Sequence, residues 1–138
     1  MNVHQMSVGP LQVNCFIVSC NKTKEAMVID PGEEGARILH MAEREGLKVS
    51  KVVNTHGHFD HIGANQQVVE ETGAELMMHK DDLPILQNAR SHAEVYGLSV
   101  SPSPDPDKLL EQGDSFRVGE LNFKVFHVPG HSPGGICL

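Results

Sequence analysis

The chain has 138 residues, 39% of them apolar and 21% charged, and a formal net charge of −7, which describes one globular domain (1–138) long enough to bury a core unaided. Its basic residues are scattered rather than gathered into the stripe that displaces counterions, so no nucleic-acid partner is expected. No run approaches the ~18 apolar residues of a membrane span, and Met1-Asn2-Val3-His4-Gln5 lacks the basic and apolar regions of an export signal, so a cytoplasmic protein is expected.

Val13 to Val18 and Ala26 to Ile29 are short apolar runs about the polar stretch Cys20 to Lys24, and predict two antiparallel strands. Asp30-Pro31-Gly32 ends the second. Ile38, Leu39, Met41 and Ala42 recur at helical spacing within Ala36 to Arg44, before a stop at Gly46. Lys48 to Asn54 predicts a strand, Ile62 to Glu71 a helix stopped by Gly73, and Glu75 to His79 another strand. Asp81-Asp82 opens a helix to about Tyr96, with Pro84 in its first turn, where a missing N–H costs nothing. The Pro-rich segment Ser99 to Asp107 predicts an extended loop, and Leu109 to Val118 and Leu121 to Val128 predict strands about Gly119-Glu120. Strands alternating with helices imply a helix-covered sheet.

The chemistry concentrates in Thr55-His56-Gly57-His58-Phe59-Asp60-His61, directly after a strand and at the start of a helix. Imidazole nitrogen and carboxylate oxygen are zinc ligands, and a catalytic site keeps one position open for water. Gly57 is expected to supply backbone freedom that lets His56 and His58 converge. The positive potential of a helix amino terminus favours carboxylate and neutral imidazole, the ligand form. Each residue alone has an ordinary reading: Asp60 as a helix cap, His56 or His58 as a loop histidine. Together, after a strand, they point to a metal. His131 lies in a second turn, Pro129-Gly130-His131-Ser132-Pro133-Gly134, and is expected to join them. Asp30 reads as a turn-former or as a group holding a ligand histidine. His79 and His127 read as structural, and His4, His40 and His92 as surface residues. Cys15 and Cys20 are expected on opposite sides of a strand. These two and Cys137 are all expected to pack in the core, an odd number that suits a reducing compartment.

The motif at 55–61, with Pro129 to Gly134, resembles the metallo-β-lactamase superfamily, and most closely its glyoxalase II-like hydrolases. Asn14 to Val18 and Val28 to Gly32 resemble the opening strands of that branch. The resemblance implies an αββα sandwich, of which this chain supplies mainly the N-terminal half, with two zinc sites at one edge; iron or manganese are alternatives. By motif position, His56, His58 and His131 would hold the first metal, and Asp60 and His61 the second. The family's bridging Asp and final His come from a carboxyl half this chain lacks, so the second site is expected to be incomplete. The implied activity is hydrolysis of a thioester such as S-acylglutathione, with Asp60 orienting the nucleophile. Alternatives are a mononuclear iron sulfur dioxygenase-like oxidoreductase, or a truncated non-catalytic metal-binding fragment. A β-lactamase proper is disfavoured for want of an export signal. An uncovered face predicts a homo-oligomer if the chain is stable alone.

Overall fold

The computed structural model describes residues 1–138. Ahead of the first expected strand lies another, β1 (Asn2–Val8), paired antiparallel with β2 (Val13–Ser19). Only Met6 and Val8 of β1 are buried, so its first half carries no apolar alternation. Next come β3 (Glu25–Ile29), α1 (Gly35–Arg44) and β4 (Lys48–Val53), close to their expected limits.

The helix expected over 62–71 is two helices, α2 (Phe59–Ile62) and α3 (Asn65–Thr72). They are interrupted because Gly63 and Ala64 pack against the turn after β3. A Cβ on Gly63 would collide with the Gly32 carbonyl oxygen, and the Ala64 N–H donates to the Pro31 carbonyl at 2.9 Å. Gly73 ends α3 in the left-handed region, φ 71°, as expected of such a stop.

After β5 (Glu75–His79), the helix expected from Asp81 is a 3-10 turn (Lys80–Asp82), α4 (Leu83–Gln87) and α5 (Ala89–Val95). The break falls at Asn88, whose side-chain amide donates to the Pro84 carbonyl at 2.8 Å. The long strand expected over 109–118 is also divided, into β6 (Lys108–Leu110) and β7 (Ser115–Val118), by a turn with Gly113 at φ 86°. β8 (Leu121–Lys124), β9 (Phe126–His127) and β10 (Ile136–Cys137) complete the chain.

The main sheet has six strands in sequential order, β1 to β6; the first two pairings are antiparallel and the remaining three parallel. Its central strands are buried on both faces, so adjacent residues serve opposite cores. Ile17, Val28, Val52 and Leu76 join Ile38 of α1 and Val68 of α3 on one side. Val18, Met27, Val53 and Met77 join Phe116 and Val118 of β7, and Ile136, on the other. The order across the molecule is therefore helices, main sheet, and a second layer containing the β7–β8 pair, consistent with the expected αββα arrangement in its first three layers. Cys15 and Cys20 are buried and unpaired. Cys137, expected in the core, is exposed, because β10 pairs only with the two-residue β9 and turns Ile136 inward instead. No helix is long and apolar enough to cross a membrane.

Parallel register aligns the carboxyl ends of β3, β4 and β5: Ile29 lies beside Val53, and Val53 beside Met77. Asp30, the 54–61 segment and the 80–82 turn thus leave the sheet together. The end of a parallel sheet is where its connecting loops make a cleft.

Candidate metal centre

β4 delivers the chain to the histidine loop, and Ile136 N–H donates to the Thr55 carbonyl at 2.9 Å, bringing the 129–134 turn alongside. His56, His58 and His131 converge, with one nitrogen of each within 4.8 Å of the others. His58 Nδ1 lies 3.1 Å from His131 Nε2. Two nitrogens bound tetrahedrally at ~2.0–2.1 Å from one zinc ion would sit ~3.3 Å apart, so this spacing fits a shared cation. His56 is 8% exposed, and its buried Nε2 has no hydrogen-bond partner. A buried polar atom without a partner is costly unless something absent from the protein satisfies it.

Two of the rings, His56 and His58, are biased toward the neutral, lone-pair form. Burial, then the neighbouring His61 imidazole, pushes the His56 pKa down to about 4. Burial, then His131, pushes His58 down as well. The His56 tautomer follows from a relay. Thr55 Oγ1 donates to Asp30 Oδ2 at 2.6 Å, so its lone pairs face His56 Nδ1 at 3.0 Å and accept the proton there. That leaves Nε2 bare and aimed at the cluster. Asp30 also accepts from the Thr55 N–H at 2.7 Å, and its Oδ2 is 3.0 Å from His61 Nδ1. Of its two sequence readings, the group that holds ligand histidines is therefore the one supported here. Asp30 adopts φ 51°, a conformation that costs energy and is maintained by these contacts.

His61 and Asp60 lie beside this group. His61 Nε2 is 3.6 Å from Asp60 Oδ2. Burial alone would lower the His61 pKa, but the carboxylates of Asp30 and Asp60 more than offset it and the net shift is upward. Asp30, His56 and His61 form a second group with ligand atoms within 4.8 Å; Asp60 borders it without joining a set of three. Asp60 is not a helix cap: His58 occupies the N-cap position of α2 and makes no side-chain capping bond.

Gly57 is required for a reason other than the expected one. It is not among the glycines with positive φ; a Cβ there would lie 2.8 Å from the Asp82 carbonyl oxygen and 3.0 Å from the Leu86 nitrogen. The residue supplies close approach, not unusual backbone angles. Two further features carry no pattern in the sequence. Asn54 and Asn65, both fully buried, pair through their amides at 2.7 and 3.2 Å, and Asn54 also donates to the His61 carbonyl at 3.1 Å. Asp82, expected only to open a helix, points inward under both loops.

His79, Asp81 and His127 make a third cluster with close ligand atoms. Its two rings are stacked, with centroids 4.0 Å apart and planes at 13°. In-plane lone pairs of parallel stacked rings cannot meet at one ion. His79 Nδ1 accepts the Asp81 N–H, and His127 Nε2 contacts the Pro133 carbonyl at 2.7 Å. Each ring thus has one nitrogen engaged by nearby backbone. His92 is exposed as expected, but its ring lies 5.8 Å from that of His58, at the rim of the site.

The depressed His56 pKa has a measurable consequence in metal-free protein. Between pH ~6.5 and ~4 the unfolded chain protonates this imidazole and the folded chain does not. The stabilisation is complete above the unfolded value and is lost as pH falls through that window, by ~3 kcal/mol at most. The raised His61 pKa acts on the other side, since its contribution is complete below pH ~6.5 and fades as pH rises. Urea unfolding of chelator-treated protein at pH 7 and pH 4.5, compared with His56→Gln, is expected to show a smaller acid loss in the variant.

Residues 8–138 match the family model of the metallo-beta-lactamase superfamily. Among curated proteins, hydroxyacylglutathione hydrolase GloC of Haemophilus influenzae is 32% identical over 138 residues, covering 99% of this chain and 65% of the relative. A crystal structure of TTHA1623 in a di-iron-bound form superposes with a TM-score of 0.86 at 35% identity, covering 96% of this chain and 64% of that one. BLEG-1, a B3 metallo-beta-lactamase, superposes with a TM-score of 0.88 at 31% identity, covering 98% and 65%. The chain thus spans just under two thirds of the length of these curated relatives.

Proposed function

From the fact that the chain belongs to the metallo-beta-lactamase superfamily, and from the geometry of its site, we propose a metal-dependent hydrolase of thioesters such as S-acylglutathione. One observation carries the reading: the buried Nε2 of His56 has no hydrogen-bond partner, in a histidine that brings a nitrogen within 4.8 Å of one on His58 and one on His131. Three imidazoles are the protein donor set of one class of catalytic zinc site. A divalent cation held there would supply Lewis acidity and lower the pKa of water toward neutrality.

The residues do the rest. His56, His58 and His131 are assigned to the first metal, and Asp60 and His61 to the second. Asp30 and Thr55 fix the His56 tautomer. Asp60, half-buried beside His61, is assigned to orient the attacking nucleophile. A leaving thiolate asks little of a general acid, because thiols ionise near pH ~8.5. The hydroxyacylglutathione hydrolase relative supports the thioester class, and the di-iron form of TTHA1623 supports iron beside zinc or manganese as the metal. We read residues 1–138 as one domain. Exposed Phe126, Val128 and Leu109 suit self-association, which size-exclusion chromatography tests.

The test is turnover of an S-acylglutathione, followed by thiol release, after loading with zinc, iron or manganese, with metal content measured in parallel. Chelator-sensitive hydrolysis with bound metal is expected. Bound metal without thioester turnover would refute the hydrolase assignment. A second reading, a mononuclear iron sulfur dioxygenase-like oxidoreductase, predicts a single bound iron and oxygen uptake in place of hydrolysis.

A further inference from the structure

Asp82 is fully buried, on the turn between β5 and α4, in a segment that contributes none of the residues assigned to the metals. Its Oδ2 accepts the Gly57 N–H at 2.8 Å, from the tip of the loop between His56 and His58. The same oxygen accepts the Ser132 hydroxyl at 2.8 Å, and Oδ1 accepts the Gly134 N–H at 2.5 Å, both from the turn that carries His131. The backbone bond between these two loops, Ile136 N–H to the Thr55 carbonyl, lies at their strand ends and not at the histidines. The packing is as close as the bonding. A Cβ on Gly57 would lie 2.8 Å from the Asp82 carbonyl, and one on Gly134 would lie 2.7 Å from its nitrogen.

We propose that Asp82 is a positioning residue, whose buried carboxylate clamps the His56–His58 loop to the His131 loop and thereby sets the spacing at which the three rings can share a cation. The inference rests on the metal-site reading above. Three donors on one carboxylate, two of them on a single turn, leave His131 little freedom to swing away from His58. An amide in its place has one accepting oxygen, and whichever way it turns its NH2 group meets the N–H of Gly57 or of Gly134 head-on. The loops would part to relieve that contact.

The test compares wild type with Asp82→Asn and with the milder Ser132→Ala, which removes one of the three bonds. Cobalt(II) is titrated into each, read by its visible absorption and by competition dialysis, and imidazole 15N NMR is recorded on the metal-free proteins. Asp82→Asn is expected to weaken cobalt binding roughly 10–100-fold, and Ser132→Ala by less, while both retain the circular dichroism of the wild type. The His58 and His131 ring resonances should shift together in both metal-free variants. A folded Asp82→Asn with wild-type cobalt affinity and unmoved resonances overturns the proposal. Should that variant not fold, the same result for Ser132→Ala overturns it. Failure of the wild type itself to bind cobalt refutes the metal reading instead, and the metal-free spectra still decide whether Asp82 holds the two rings.

Discussion

His58→Ala is expected to lower metal affinity by more than ~100-fold, beyond the range seen when only an outer hydrogen-bond partner is lost, and to abolish hydrolysis with it. His58 Nδ1 is the nitrogen nearest His131 Nε2, at 3.1 Å, so its removal leaves two imidazoles where three converge. Two neutral donors do not hold a divalent cation against water and chelator. The fold should survive, because the His58 side chain is half-buried and lies outside all three apolar clusters. Equilibrium dialysis with metal analysis, beside a thermal melt, checks both halves of the statement. Near-normal metal content in a folded variant would sink the three-imidazole assignment.

Asp30→Asn is expected to cost roughly 10–100-fold in metal affinity although it touches no proposed first-site ligand directly. The backbone should tolerate it, since Asn accepts the left-handed conformation that Asp30 adopts at φ 51°. The effect arises from proton direction. The aspartate accepts the Thr55 hydroxyl hydrogen at 2.6 Å. An amide NH2 in that place donates to Thr55 Oγ1, and the hydroxyl hydrogen turns toward His56 Nδ1. That favours the His56 tautomer with its proton on Nε2, the atom required as ligand. Asp30→Ala should add a stability loss of ~1–3 kcal/mol, because the Thr55 N–H loses its 2.7 Å acceptor. Metal titration of both variants, with His56 tautomers read by NMR, separates these effects. Unchanged affinity in Asp30→Asn would show that the relay does not control the ligand.

The residues that announce the chemistry are local in sequence, and so they could be read there. His56, His58, Asp60 and His61 fall within six consecutive residues, and a run such as Val49 to Val53 declares itself a strand by its composition. The β3, α1, β4 and β5 limits were legible for the same reason: apolar period and stop residues are short-range properties. Breaks in longer elements were not legible. Gly63-Ala64 interrupts a helix because the Pro31-Gly32 turn, some thirty residues away in sequence, occupies the space and takes the hydrogen bond. The early part of β1 has no apolar face to betray it and is a strand through its pairing with β2.

Which candidate metal-binding side chains stand together was thus set by the sequence itself, since that depends on which residues follow one another after one strand. That Asp30 faces Thr55, that Asn54 meets Asn65, and that Asp82 lies beneath both histidine loops was decided only by the tertiary structure. A lone carboxylate or amide looks the same in a sequence whether it caps a helix or holds a distant loop. What distinguishes the two is burial and the donors that converge on it, and both are created when parallel strands bring remote segments to the same end of a sheet.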